Sequence, residues 1–150
     1  VPYDEEEEIL ANRLGRLGWR SGRLTGGLHG ASGGRLGARL AARLLPEDVH
    51  EIELVLALPA DEALARARWV LSSLGEPVDE TPLADQHELR AVVGSGALSL
   101  NPAVVTLQLV ATTSASTAIW VRGVAKEGLI RQRAGRTAAE RVAAHLRASV

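Results

Sequence analysis

The four histidines, the first residues to weigh for proton-transfer or metal chemistry, lie far apart at positions 29, 50, 87 and 145. None belongs to His-Glu-x-x-His or has a His or carboxylate four residues along, the spacing that sets two zinc ligands on one helix face. His87 is the best placed for acid–base work, because an imidazole titrates near neutrality and Asp85 and Glu88 stand beside it in the sequence. A solvated loop histidine accounts for the same residues. The run Gly94-Ser95-Gly96 reads as a turn, since a nucleophile elbow needs Gly-x-Ser-x-Gly. There is no cysteine, hence no thiolate nucleophile, disulfide framework or Cys-ligated cluster. These residues identify no enzyme, no metal site and no cofactor.

Two segments could hold an anion. Gly26-Gly27-Leu28-His29-Gly30-Ala31-Ser32-Gly33-Gly34-Arg35 precedes a helical pattern, and backbone N–H groups at such a junction can cradle phosphate. It lacks Gly-Lys-Ser/Thr, and no strand leads into it, so a connector is the simpler reading. Arg13, Arg16, Arg20 and Arg23 fall at i, i+3, i+7 and i+10 on one helical face, with leucines beside them. Such a face suits an anionic membrane surface or nucleic-acid phosphates. It equally suits solvated arginines on a helix that packs its leucines. An aromatic content of 3% argues against base stacking on nucleic acid.

Charge is segregated along a chain whose net value is −1. Residues 1–8 hold five acids and no base, and residues 13–43 hold seven arginines and no acid. Residues 47–90 hold eleven acids against three arginines, and residues 122–147 hold seven bases against two acids. Alternating blocks of this kind match one another within a molecule or between two. A hydrophobic fraction of 46% over 150 residues is enough for one domain with a core. No apolar run is long enough for a transmembrane segment. The absence of cysteine fits a reducing, cytoplasmic compartment, although a cleaved signal peptide would leave no trace.

The elements that must position these residues divide the chain at residue 45. Residues 1–45 read as a helical arm rich in Gly and Arg. Acidic residues open its first helix, Leu10, Leu14 and Leu17 recur at helical spacing, and Gly15 and Gly18 weaken it towards Trp19. A second short helix, with Leu36, Leu40 and Leu44 on one face, ends at Pro46. From residue 49 the period becomes two, placing Ile52, Leu54, Leu56 and Leu58 opposite Glu51 and Glu53 in a half-buried strand. A helix follows from Asp61 to Leu74, with Gly75 at its C-cap. Residues 76–87 read as a polar loop with two prolines. Strands are then expected over 88–93, 104–112 and 117–124, joined by connections short enough for antiparallel neighbours. A helix over 127–148, with Ile130, Ala134, Ala138, Val142 and Leu146 on its inner stripe, closes the chain. The result is an α+β domain over residues 46–150, β-α-β-β-β-α from residue 49, with an antiparallel sheet of about four strands.

The middle and last strands carry apolar residues on both faces: Val104 and Val110 oppose Leu107 and Leu109, and Trp120 alternates with Ile119 and Val121. A sheet apolar on both sides has to be covered on both. Val104, Val110, Trp120 and Trp69 are therefore the candidate surface for a ligand or partner. This element order, with its long final helix, resembles the helix-grip proteins (START and Bet v 1-like). Over residues 49–148 the resemblance implies a curved sheet gripping that helix around an apolar cavity. It rests on element order alone, and this sheet is smaller than that family's. The first functional expectation is a non-enzymatic interaction domain, possible partners being another protein or a second copy bound through the sheet or the arm. The alternatives are a carrier of a small apolar, lipid-like ligand, or an enzyme built in such a pocket around His87.

Overall fold

The computed structural model describes residues 5–14, 45–83, 86–95, 101–127 and 132–148. Residues 5–14 form helix α1. The elements that follow are β1 (Glu47–Leu56), α2 (Ala60–Leu74), β2 (Gly75–Leu83), β3 (Gln86–Ser95), β4 (Asn101–Thr113), β5 (Ser116–Lys126) and α3 (Ala134–Ala148). The five strands make one antiparallel sheet in the order β1-β5-β4-β3-β2, so the first two strands in sequence lie at opposite edges. The chain divides into two compact units, one of Val1–Glu47 with Lys126–Arg131, the other of Asp48–Ala125 with Gln132–Val150. The expected continuation of the arm beyond residue 14 lies outside the described residues.

In the first unit Glu6, Leu10 and Ala11 of α1 are buried. The side chain of Lys126, the one lysine of the chain, is also buried. Its Nζ lies 2.9 Å from Glu47 Oε1 and 3.5 Å from Glu7 Oε1, and two carboxylates offset the cost of enclosing an ammonium. The Glu127 N–H donates to the Pro46 carbonyl at 2.8 Å.

The second unit holds the main core. Alternation in β1 puts Leu54 and Leu56 inside and leaves Glu51, Glu53 and Val55 exposed, as the period-two pattern predicts. β4 does the same, sending Val105, Leu107 and Leu109 inward. These residues meet Ala63, Leu64, Ala67, Val70 and Leu71 of α2 and Ala134, Ala138, Ala139, Val142, Ala143 and Leu146 of α3. The two helices thus share one face of the sheet.

Two expectations need correction. The segment read as a polar loop forms a fifth strand, because β2 pairs with β3 from Gly75↔Val93 to Leu83↔Gln86. Pro77 and Pro82 hid it, yet an edge strand tolerates residues that cannot donate to a ladder. The final helix is described from Ala134, with residues 127, 132 and 133 not helical, and Ile130 of the expected stripe lies outside the described residues. Arg133 adopts a positive φ of 51°, which breaks helical continuity just ahead of it. The new N-terminus is capped from afar: the Arg136 N–H donates to Asp48 Oδ2 at 2.9 Å.

That end of α3 sits on the sheet backbone to backbone. A Cβ on Gly135 would lie 2.3 Å from the Asp48 carbonyl oxygen, and one on Gly123 would lie 2.2 Å from the Gly135 carbonyl oxygen. Neither contact can be relieved by turning a side chain. Gly135→Ala is therefore expected to cost about 1–3 kcal/mol and to lower the melting temperature by several degrees in a thermal circular-dichroism scan. An unchanged melting temperature would show that α3 does not approach the sheet this closely.

Candidate functional site

Strand register sorts the β3–β5 side chains into two faces, because cross-strand partners share a side. On the face away from α2 and α3, Val92, Val104 and Val124 form a buried apolar row. The next row, Arg90–Thr106–Arg122, is polar, and the one after it runs Glu88–Gln108–Trp120. Glu88 takes hydrogen bonds from Arg90 Nη2 and, at 2.9 Å, from Gln108 Nε2. Arg122 reaches Glu51 of β1. The two-sided apolar character read from the sequence thus holds at one end of the sheet and gives way to an ion-paired belt.

The four residues singled out as a ligand or partner surface are dispersed. Val104 is fully buried, and Val110 is half-buried on the same face as Trp120, which is 44% exposed. Trp69 is 59% exposed on α2, in the helical layer. Arg13 is half-buried on α1, and Arg16, Arg20 and Arg23 lie outside the described residues.

His87 faces the helix side, in the row Pro82–His87–Leu109–Ile119. Its expected neighbour Glu88 points to the opposite face, as adjacent residues of a strand must, and Asp85 lies outside the described residues. The Nδ1 atom of His87 is buried and makes no hydrogen bond. On α3, His145 Nδ1 lies 2.9 Å from the Arg141 carbonyl oxygen. Among the described residues no group of three or more His, Cys, Asp or Glu is arranged to hold a metal ion, and no helix is long and apolar enough to cross a membrane.

Among the described residues of the second unit a cleft lies between α2 and the β2–β3 edge, with a volume of about 250 Å³. Its apolar lining is Leu71, Pro77, Val78 and Leu89; Arg68 and Glu80 border it on the helix side of the sheet, whereas the paired residues Asp79 and Arg90 line it from the strand edge with their side chains on the other face. Helical spacing explains the α2 side: Leu64, Ala67 and Leu71 face the core, and Arg68 falls on the flank nearest β2. A register shift explains the other side. β2 pairs Pro77 with Ala91 but Asp79 with Arg90, so Val78 is the extra residue of a β-bulge. Such an insertion re-aims side chains at a sheet edge, and here it leaves Val78 43% exposed at the rim.

One ion pair spans the rim. Arg68 donates to both carboxylate oxygens of Glu80, through Nη2 to Oε1 and through Nε to Oε2 at 3.0 Å. Asp79 is occupied locally: its Oδ1 accepts the Glu80 N–H at 2.8 Å and its Oδ2 the Thr81 hydroxyl at 3.4 Å. The Arg68 hydrogen bonds hold the Glu80 carboxyl below its ordinary value of 4.5, and the same contact raises the Arg68 guanidinium. Arg68 and Glu80 escaped the sequence reading because β2 did; once that strand exists, Glu80 shares a row with Leu89 and faces the helix that carries Arg68.

The sign of the pH effect follows from the lowered carboxyl. Stability from a depressed carboxylate is complete above the unfolded pKa and is lost as pH falls through the folded one. Both side chains are well exposed, so screening limits the pair to roughly 0.2–1 kcal/mol. Urea unfolding of Glu80→Gln should show that deficit at pH 7 and a smaller one at pH 3. An equal deficit at both values would mean that the ion pair is not its source.

No known protein family matches the sequence, and no curated protein matches it. Similar solved structures include norcoclaurine synthase from Thalictrum flavum, at 16% identity over 73% of this chain and 90% of that one, with a TM-score of 0.40. Another is the human StarD13 lipid transfer and protein localization domain, at 12% identity over 67% of this chain and 76% of that one, with a TM-score of 0.35. A third is the Zhui aromatase/cyclase from a Streptomyces species, at 12% identity over 69% and 86%, with a TM-score of 0.30.

Proposed function

We propose that this chain binds a small amphiphilic molecule in the cleft between α2 and the β2–β3 edge, acting as a carrier or sensor. The observation that carries this reading is the pairing of an apolar lining (Leu71, Pro77, Val78 and Leu89) with the Arg68–Glu80 ion pair at its border. A ligand site typically joins apolar walls to a few placed polar groups. The volume of about 250 Å³ favours a small ligand over a long-chain lipid. Magnitudes divide the labour between the two parts. Each buried methylene contributes about 0.8 kcal/mol, so a short chain outweighs a screened surface ion pair and sets the affinity. The rim then sets orientation and selectivity. Fold resemblance to helix-grip carriers adds nothing to this argument, since function resides in sites.

The test is displacement of an apolar fluorescent probe, comparing the natural protein with Val78→Glu. Val78 is exposed, so the substitution should leave stability within about 0.5 kcal/mol while placing a carboxylate at the mouth of the cleft. Binding should weaken about tenfold, the cost of desolvating part of that charge. Undiminished binding would move the site elsewhere.

A second reading, association of two copies through the outer sheet face, is favoured by Trp120, exposed beside the half-buried Val110. It expects a dimer by analytical ultracentrifugation that Trp120→Glu converts to monomer. A natural protein already monomeric at high micromolar concentration would remove this reading.

A further inference from the structure

We infer that the amphiphile taken by the cleft carries a carboxylate head, which replaces Glu80 on the Arg68 guanidinium. This inference rests on the binding function proposed above and narrows it to a ligand class.

The structure already contains the complex in miniature. Glu80 presents a carboxylate to Arg68 in two-point geometry, Oε2 to Nε at 3.0 Å and Oε1 to Nη2, at the rim of an apolar cleft. A planar guanidinium fork recognises that group in the same way whichever molecule supplies it. A ligand carboxylate whose chain lies against Pro77 and Val78, above the buried Leu71 and Leu89, would bring its head to the place that Glu80 occupies.

The exchange is feasible because Glu80 is held weakly. It sits on an edge strand beside a bulge, and both members of the pair are exposed, so water can solvate the displaced carboxylate. The other charged residues that line the cleft face the far side of the sheet and are engaged there. Asp79 accepts from the Glu80 N–H and the Thr81 hydroxyl, and the Arg90 guanidinium is held by Glu88. Arg68 is thus the cation whose partner can be exchanged, and Glu80 is a built-in competitor for the ligand head.

This arrangement makes the two halves of the ion pair act in opposite directions, which a purely structural latch would not. Isothermal titration with octanoate and with 1-octanol, matched in chain and different in head, separates the possibilities. The natural protein should prefer octanoate. Arg68→Gln should lower octanoate affinity about tenfold, the size expected for loss of a charge-assisted contact, and leave 1-octanol unchanged. Arg68→Lys, which keeps the charge and loses the fork, should fall between them. Glu80→Gln should tighten octanoate several-fold by removing the competitor. Equal binding of the two probes by the natural protein would overturn the inference and leave the proposed function standing. So would a loss of octanoate affinity in Glu80→Gln matching that in Arg68→Gln. Failure of both probes to bind would overturn the binding function and this inference together.

Discussion

The close approach of α3 to the sheet is the constraint on which the second unit depends. Gly135 fits between the carbonyls of Asp48 and Gly123, and small residues continue along the buried stripe through Ala138 and Ala139. The sheet answers with small residues of its own at Gly123 and Ala125. At this end neither a larger side chain nor a ligand fits between helix and strands. Leu146 and Val142 begin to fill the interface only farther along, where they join Leu107, Leu109 and Ile119 in the core. The helix start is fixed at the same place, since the Asp48 carboxylate accepts the Arg136 N–H.

Closure on one side of the helical layer leaves the other side to accommodate a site. There α2 covers β3 with Leu64, Ala67 and Leu71, but its far flank carries Arg68 in place of an apolar residue. The facing strand, β2, has a bulge at Val78 and a Glu where an inward apolar residue would seal the edge. The helix and edge strand are therefore bridged by an exposed ion pair over an apolar floor. Such a bridge is weak compared with burial of the leucines below it. It can open without loss of the core.

The sequence displays these features unequally. Apolar alternation in β1 and β4 revealed both strands and their inward residues, and the stripe at 134, 138, 142 and 146 revealed the buried face of α3. Pairing of β2 was hidden because an edge strand can hold its place through backbone hydrogen bonds alone, and its bulge breaks any period of two. Arg133 hid the start of α3, since nothing in its side chain announces a positive φ. Side-chain chemistry also drew attention to His87 and Glu88 as neighbours, although alternation sends them to opposite faces. The residues that border the cleft, Arg68 and Glu80, look like ordinary surface charges until the fifth strand brings them together.

Backbone amide chemical shifts provide the most direct test of the cleft as the binding site. With an amphiphile of medium chain length added to the intact isotopically labelled protein, the perturbed amides should cluster at Arg68, Leu71, Val78, Glu80 and Leu89. The α3–β5 contact around Gly123 and Gly135 should stay unmoved. Perturbations centred on that contact, or none at saturating amphiphile, would contradict the account.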